Sequence, residues 1–176
     1  TQIKTIIPYY ERWVKEYPTL KSAANANIDK LLKLWEGLGY YGRCRNFHKA
    51  LKIVEQDYKG EIPNSFDEFL SLPGVGEYTA GAVLSIAYQK CISAIDGNVT
   101  RVMARILGIK NLTTKNKSRI KSNVQKLIPK TDPGNFNQGL MELGALICTP
   151  IKPTCEICPL PNFCKAYKYK EPAFYP

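Results

Sequence analysis

Four cysteines crowd into the seventeen residues from Cys148 to Cys164, spaced Cys148-x6-Cys155-x2-Cys158-x5-Cys164. Four thiolates in one compact loop can enclose a tetrahedral zinc or a cubane iron–sulfur cluster. Structural zinc commonly takes two paired knuckles, and here there is one Cys-x-x-Cys pair. The single histidine of the chain, His48, is far away in sequence. The long x6 and x5 arms and the all-sulfur donor set favour a [4Fe–4S] cluster over zinc. Lys152, Lys165, Lys168 and Lys170 flank the loop, so a rigid platform offering cations to phosphates suits it as well as redox chemistry does. A second chemical signal is Asp96, in Ala94-Ile95-Asp96-Gly97-Asn98-Val99, just ahead of an amphipathic stretch. One reading is an ordinary helix N-cap. The other is an anion that stabilises positive charge developing on a sugar as a glycosidic bond breaks, with Asn98 orienting it. A third is Leu72-Pro73-Gly74-Val75-Gly76, between two amphipathic stretches. Its two glycines permit positive φ and let backbone N–H groups approach a ligand closely. The helix expected from about Tyr78 would aim its first amides into that turn, where a phosphate could sit. The alternative is a plain turn between helices.

The elements that would carry these residues read as helices. Ile28, Leu31, Leu32 and Trp35 share a face, with Asn27 as N-cap and Gly37 as stop. Phe66, Phe69 and Leu70 follow a capping box of Ser65 and Glu68. Ala80, Val83, Leu84 and Ala87 form the next stripe. Val99, Val102, Met103 and Ile106 form another, closed by Gly108. Ile120, Val124, Leu127 and Ile128 run up to Pro129. Phe136, Leu140, Leu143, Leu146 and Ile147 lead into the cysteines. Ile3, Ile6, Ile7 and Tyr10 indicate a helix near the start, kinked or reset at Pro8. Alternating strand patterns are scarce, so the fold class is all-α with seven or eight short helices.

Composition narrows the function classes. The 176 residues are 44% hydrophobic, which excludes a disordered tail. Twenty-five Lys and Arg against 15 Asp and Glu give a net charge of +10, which favours a polyanionic partner. No apolar run approaches the roughly 20 residues that span a bilayer, so no membrane role is expected. Lys4, Glu11, Arg12, Lys15 and Glu16 interrupt any secretory core, and clustered rather than dispersed cysteines fit a reducing, intracellular compartment. Cys44 and Cys91 are expected to be buried as small hydrophobes.

These pieces occur together in the helix-hairpin-helix DNA glycosylases, and within that superfamily the chain resembles the adenine DNA glycosylase family, the A/G-mismatch repair type. The resemblance runs from Thr1 to Pro176. It is most specific in Trp35–Asn46, in Leu72–Ala82 with Tyr78-Thr79-Ala80-Gly81, in Ile95–Arg101, in the cysteine loop and in Ala173-Phe174-Tyr175-Pro176. It implies a six-helix lobe over residues 21–110 with its hairpin at 66–88. Residues 1–20 and 111–147 would belong to a second lobe ending in the cluster loop 148–164 and a tail 165–176, with DNA in the cleft between lobes.

The resemblance also implies roles. Asp96 matches the catalytic aspartate. Gly74, Val75 and Gly76 match the DNA-gripping hairpin, Tyr40 the aromatic wedge pushed into the duplex, and Glu142 a contact to the flipped adenine. Cys148, Cys155, Cys158 and Cys164 match the [4Fe–4S] ligands. Without the resemblance, Tyr40 reads as a packed core aromatic and Glu142 as a solvated helix residue. Tyr78 stands where endonuclease III-like relatives carry a Schiff-base lysine, so the chain is expected to be monofunctional, releasing the base without cutting the strand. The expected partner is double-stranded DNA carrying adenine opposite 8-oxoguanine or guanine, bound by a monomer in the bacterial cytoplasm and nucleoid or in a eukaryotic nucleus or mitochondrion. The family's general-acid Glu would lie a few residues ahead of Thr1, and Glu11, Glu16 and Glu36 fall at non-matching positions. Loss of a general acid costs roughly 10²–10⁴-fold in rate, so the chain is expected to be a truncated catalytic domain of impaired activity, also lacking the family's 8-oxoguanine-reading domain. Two rivals stand beside this reading. One is a T/G-mismatch thymine glycosylase, and the other a non-catalytic DNA-binding module with a structural cluster.

Overall fold

The computed structural model describes residues 3–176, and among them every regular element is helical. The chain divides into two compact units, Thr1–Gly76 and Glu77–Pro176, a boundary that falls inside the expected 66–88 hairpin.

The first unit holds α1 (Ile3–Glu16), α2 (Leu20–Ala24), α3 (Ile28–Trp35), α4 (Gly42–Asp57) and α5 (Phe66–Leu70). Pro8 lies inside α1, so the expected reset there is corrected to one continuous helix. A proline interrupts one backbone bond, and Trp13 anchors the same helix by packing its ring against Tyr17, Trp35 and Phe47 at centroid distances of 5.8, 6.3 and 5.6 Å. The five-residue α2 has no periodicity to read. It exists because Thr19 and Ser22 cap each other reciprocally and because Ala23 and Ala24 pack with Leu51 in the core. Asn27 caps α3 as its sequence suggests, accepting from the Asp29 N–H at 2.7 Å. At α5 the Ser65 hydroxyl oxygen accepts from the Glu68 N–H at 3.4 Å, but its proton goes to the Glu68 carboxylate, so the reciprocal bond expected of the capping box is replaced by a side-chain pair.

The second unit holds α6 (Glu77–Tyr88), α7 (Gly97–Leu107), α8 (Thr114–Leu127), α9 (Pro133–Glu142) and α10 (Lys165–Lys168), with a turn of π-helix over Leu143–Ile147. Three short 3₁₀ turns lie at Cys155–Ile157, Pro161–Phe163 and Pro172–Phe174. Helix α7 is the hub, touching α8, α9, α10 and the π turn. Its Val99, Met103 and Ala104 join Ile109, Ile120 and Val124 in a core walled by Phe136, Leu140 and Met141. Gly108 closes α7 in the left-handed region (φ +70°), the conformation its position called for. Among the described residues the α-helices number ten rather than seven or eight; those without a stripe in the sequence reading are the short α2 and α10, of five and four residues, and the 16-residue α4.

Candidate functional site

Asp96 is the N-cap of α7, and the two readings of it coexist. One carboxylate oxygen accepts from the Val99 N–H at 2.7 Å, while the other accepts from the Asn98 side-chain amide at 3.0 Å. The residue is half-buried, takes part in no ion pair among the described residues, and sits at the positive end of the α7 dipole. Asn98 in turn accepts from Arg101 Nη2 at 2.8 Å, and that guanidinium also donates to the Gly144 carbonyl at 2.7 Å and the Cys148 carbonyl at 2.9 Å. Hydrogen bonds thus join Asp96 to the backbone of the first loop cysteine. Gly144 is buried directly against this chain, since a Cβ there would stand 2.6 Å from Asn98 Cβ.

The segment before Asp96 is fixed by groups that the sequence reading did not single out. Asn137, fully buried on α9, accepts from the Ala94 N–H at 3.1 Å and donates to the Ile92 carbonyl and the Ser85 hydroxyl, both at 2.9 Å. Gln125 on α8 accepts from the Ser93 N–H and donates to the Cys91 carbonyl. Gly81 lets α6 lie on this segment, its missing Cβ falling 3.1 Å from Ala94 Cα. The available signals were an amide inside an apolar stripe and a glycine inside a helix. Tyr78, in the first turn of α6, donates its hydroxyl to Met141 Sδ at 3.5 Å, next to Glu142 in sequence. Glu142 is exposed at the end of α9 and makes no side-chain hydrogen bond or ion pair among the described residues.

In the other unit Tyr40 is 84% exposed, so the core reading of it is corrected. It holds a left-handed backbone (φ +49°) after Gly39 (φ +67°), conformations that cost a non-glycine residue free energy. Trp35 Nε1 donates to the Gly39 carbonyl at 3.1 Å, and the Arg43 guanidinium lies 5.4 Å from the Tyr40 ring centre and 5.7 Å from that of Trp35. The turn Leu72–Gly76 is closed by Val75 N–H to Leu72 O at 3.1 Å. Only Gly74 of its two glycines takes positive φ (+79°), which corrects the expectation for Gly76. A Cβ on Gly74 would meet Asn46, whereas Gly76 is exposed with open space around it. Its use is therefore access to the backbone rather than an unusual dihedral.

The four loop cysteines are free thiols and wall one cavity with Arg105, Ile147, Pro153, Thr154, Pro161, Tyr167 and Pro172, about 330 Å³ with its mouth included. Among the described residues no three Cys, His, Asp or Glu side chains draw together into a single-ion site. The four thiols share the wall of this one cavity. Burial pushes the Cys155 and Cys164 thiols up, and the neighbouring cysteines add to it, while the Ala166 and Tyr167 N–H groups pull Cys164 partly back. Arg105, 1% exposed, donates to Cys148 Sγ at 3.3 Å and leaves its Nε without a partner. Four soft donors, a buried cation and an orphaned N–H fit an anionic, sulfur-rich guest such as an iron–sulfur cluster. The flanking Lys152, Lys165, Lys168 and Lys170 are all exposed. Cys44 is buried as expected, but Cys91 is exposed, its thiol directed at the Pro129 carbonyl, so the expectation of burial is corrected for it.

Residues 1–130 match the family described as HhH-GPD superfamily base excision DNA repair protein. The adenine DNA glycosylase of Schizosaccharomyces pombe is 44% identical over 172 residues, covering 96% of this chain and 37% of that protein. That of Buchnera aphidicola (subsp. Schizaphis graminum) is 39% identical over 178 residues, covering 100% of this chain and 51% of that protein. A solved thermostable thymine-DNA glycosylase superposes with a TM-score of 0.85 at 29% identity, over 93% of this chain and 76% of that one. The chain thus spans about half or less of the length of these curated relatives.

Proposed function

The chain belongs to the HhH-GPD superfamily of base excision DNA repair proteins, and from that premise we propose that it is the catalytic part of a monofunctional DNA glycosylase that removes adenine paired with 8-oxoguanine or guanine. The observation that carries the proposal is the Asp96 carboxylate, half-buried at the start of α7 and aimed by the Val99 N–H and the Asn98 amide. It is joined by 39–44% identity to proteins named adenine DNA glycosylase. The higher identity to these than to the thymine enzyme, 29%, favours adenine over the T/G rival.

In this reading the partner is duplex DNA, met by a basic monomer inside the cell. The exposed turn Gly74-Val75-Gly76 takes backbone phosphates. Tyr40, held upright beside Arg43, enters the base stack as the adenine leaves it. Asp96 then faces the deoxyribose. As the C1′–N9 bond breaks, its electron pair departs with the purine and positive charge spreads over C1′ and the ring oxygen. The fixed carboxylate stabilises that charge without having to reorganise. A water oxygen bonds to C1′ and releases its proton, leaving an abasic sugar. Tyr78 offers no amine, so no Schiff base forms and the strand stays intact. Glu142, exposed one residue beyond Met141, is available to the extruded base. Cys148, Cys155, Cys158 and Cys164 would hold a [4Fe–4S] cluster, which when bound ties four points of the loop to one rigid body. No helix among the described residues is long and apolar enough to cross a membrane.

Single-turnover assays on A·8-oxoguanine, A·G and T·G duplexes test this. Expected are abasic product from the adenine substrates, none with Asp96→Asn, and no borohydride-trapped adduct. Faster release from T·G would transfer the assignment to thymine. Undiminished release by Asp96→Asn would remove Asp96 from the mechanism. Absence of both product and mismatch-selective binding would leave a plain DNA-binding module.

A further inference from the structure

We propose that Arg105 is the internal counter-cation of the cysteine pocket, the residue that allows four deprotonated cysteines to be held together there. The inference rests on reading those cysteines as cluster ligands and says which other side chain the ligand set needs. Arg105 lies near the C-terminal end of α7 and is among the largest fully buried side chains. It donates Nη1 to the carbonyls of Cys148 at 3.3 Å and Thr149 at 2.7 Å, Nη2 to the Pro150 carbonyl at 2.8 Å, and Nη1 again to Cys148 Sγ at 3.3 Å. It takes part in none of the ion pairs among the described residues. Its Nε is the one buried side-chain nitrogen or oxygen among them without a partner.

A guanidinium keeps its charge at any accessible pH, and a buried charge with no opposite charge is strongly disfavoured. Carbonyl dipoles solvate it but carry no net charge. The cavity it lines contains no carboxylate, and apart from the Tyr167 phenol the groups in that wall able to become anionic are the four cysteines. With neutral thiols the cation is stranded. With metal-bound thiolates the negative ligand set and the cation compensate each other, and a donor to a ligand sulfur stabilises the more reduced cluster. Arg101, one turn earlier, also reaches the Cys148 carbonyl, but its other bonds go to Asn98 and Gly144 rather than to sulfur. The same fork clamps three successive carbonyls where the loop begins, so charge and shape must be separated by experiment.

The test compares the whole chain as wild type, Arg105→Gln, Arg105→Lys and the exposed control Lys168→Gln. The measurements are iron and sulfide per chain, the absorbance near ~400 nm, the rate of its loss to an iron chelator, and the cluster midpoint potential. Arg105→Gln should lose the band about 10–100-fold faster, the range for residues that support metal ligands, and move the potential in the negative direction. Arg105→Lys, which keeps the charge, should recover much of both, and Lys168→Gln should match wild type. If wild type holds iron and Arg105→Gln equals it in chelator rate and potential, the inference is overturned while the ligand assignment stands. If Arg105→Lys is as impaired as Arg105→Gln in rate and potential, the counter-charge is overturned and only the carbonyl clamp is left. If Arg105→Gln does not fold, Arg105→Lys decides by the same two readouts: wild-type rate and potential support the inference and large changes oppose it. If wild type itself takes up no iron during anaerobic reconstitution, the ligand reading fails instead.

Discussion

Replacing Asn137 with alanine should unseat the segment that carries Asp96. The amide is fully buried, and alanine removes its three bonds at once: from Ala94 N–H at 3.1 Å, to Ile92 O at 2.9 Å and to Ser85 Oγ at 2.9 Å. Ala94 is itself fully buried, so its N–H is left with no acceptor and no water. A buried polar group without a partner costs about 1–3 kcal/mol. The Ser85 hydroxyl keeps its bond to the Ala82 carbonyl, so taking the middle of that range for the Ala94 N–H and the lower end for the half-buried Ile92 carbonyl gives about 3 kcal/mol. A chain of this size loses about 2–4 °C in Tm per kcal/mol, hence roughly 6–12 °C. Ser85→Ala is the internal control, because it deletes one of the three partners and leaves the amide its two backbone bonds, for about 1 kcal/mol. Urea unfolding followed by far-UV circular dichroism gives both values, and single-turnover base release measured well below the lowered Tm gives the functional effect. If Asn137→Ala lies within about 1 kcal/mol of Ser85→Ala, the buried amide does not hold the segment and the reasoning is wrong.

Two further outcomes follow from close packing and from proton binding. Gly144→Ala puts a methyl 2.6 Å from Asn98 Cβ and 3.0 Å from its carbonyl oxygen, so base release should slow while stability falls by about 1–3 kcal/mol, the usual range for overpacking; wild-type rates in single-turnover assays would contradict this. Burial pushes the Cys44 thiol up, with Arg45 opposing. The unfolded chain therefore releases this proton first as pH rises, the folded state binds more protons, and stability should decline above about pH 8.5. Urea midpoints at rising pH under reducing conditions should show a shallower decline for Cys44→Ala.

Local chemistry was legible in the sequence wherever one residue acts on its near neighbours. Asn27, Ser65, Asp96 and Gly108 occupy the cap positions that their types suggested, and the apolar stripes of α3 and α7 face inward, as do Ile120 and Val124 of α8, whereas Leu127 at its end is exposed. The cysteine spacing likewise brought four thiols to one cavity. Pairings across long stretches of chain were not legible. Arg101, Arg105 and Asn137 find partners more than forty positions away; Asn137 stands out only as an amide inside an apolar stripe, and nothing in the immediate neighbourhoods of the two arginines distinguishes them from surface residues. Tyr40 misled for a related reason. Composition gives an aromatic a strong pull toward the core, whereas Tyr40 sits exposed in a turn where Gly37, Gly39 and Tyr40 itself take positive φ.

The single wide turn at Leu143–Ile147 makes the approach to the cysteines a matter of phase. Such a turn is one residue more than an α-helix would use over the same rise. Removing that residue would let the turn tighten to an ordinary α-turn over the same rise, with Cys148 still in phase with α9 and within reach of Arg105 and Arg101. Removing a second would swing Cys148 by about 100° around the axis and retract it by about 1.5 Å, taking its sulfur away from Arg105 and its carbonyl away from Arg101. The wide turn is thus a reserve of length: the approach to the cysteines tolerates one lost position and not two.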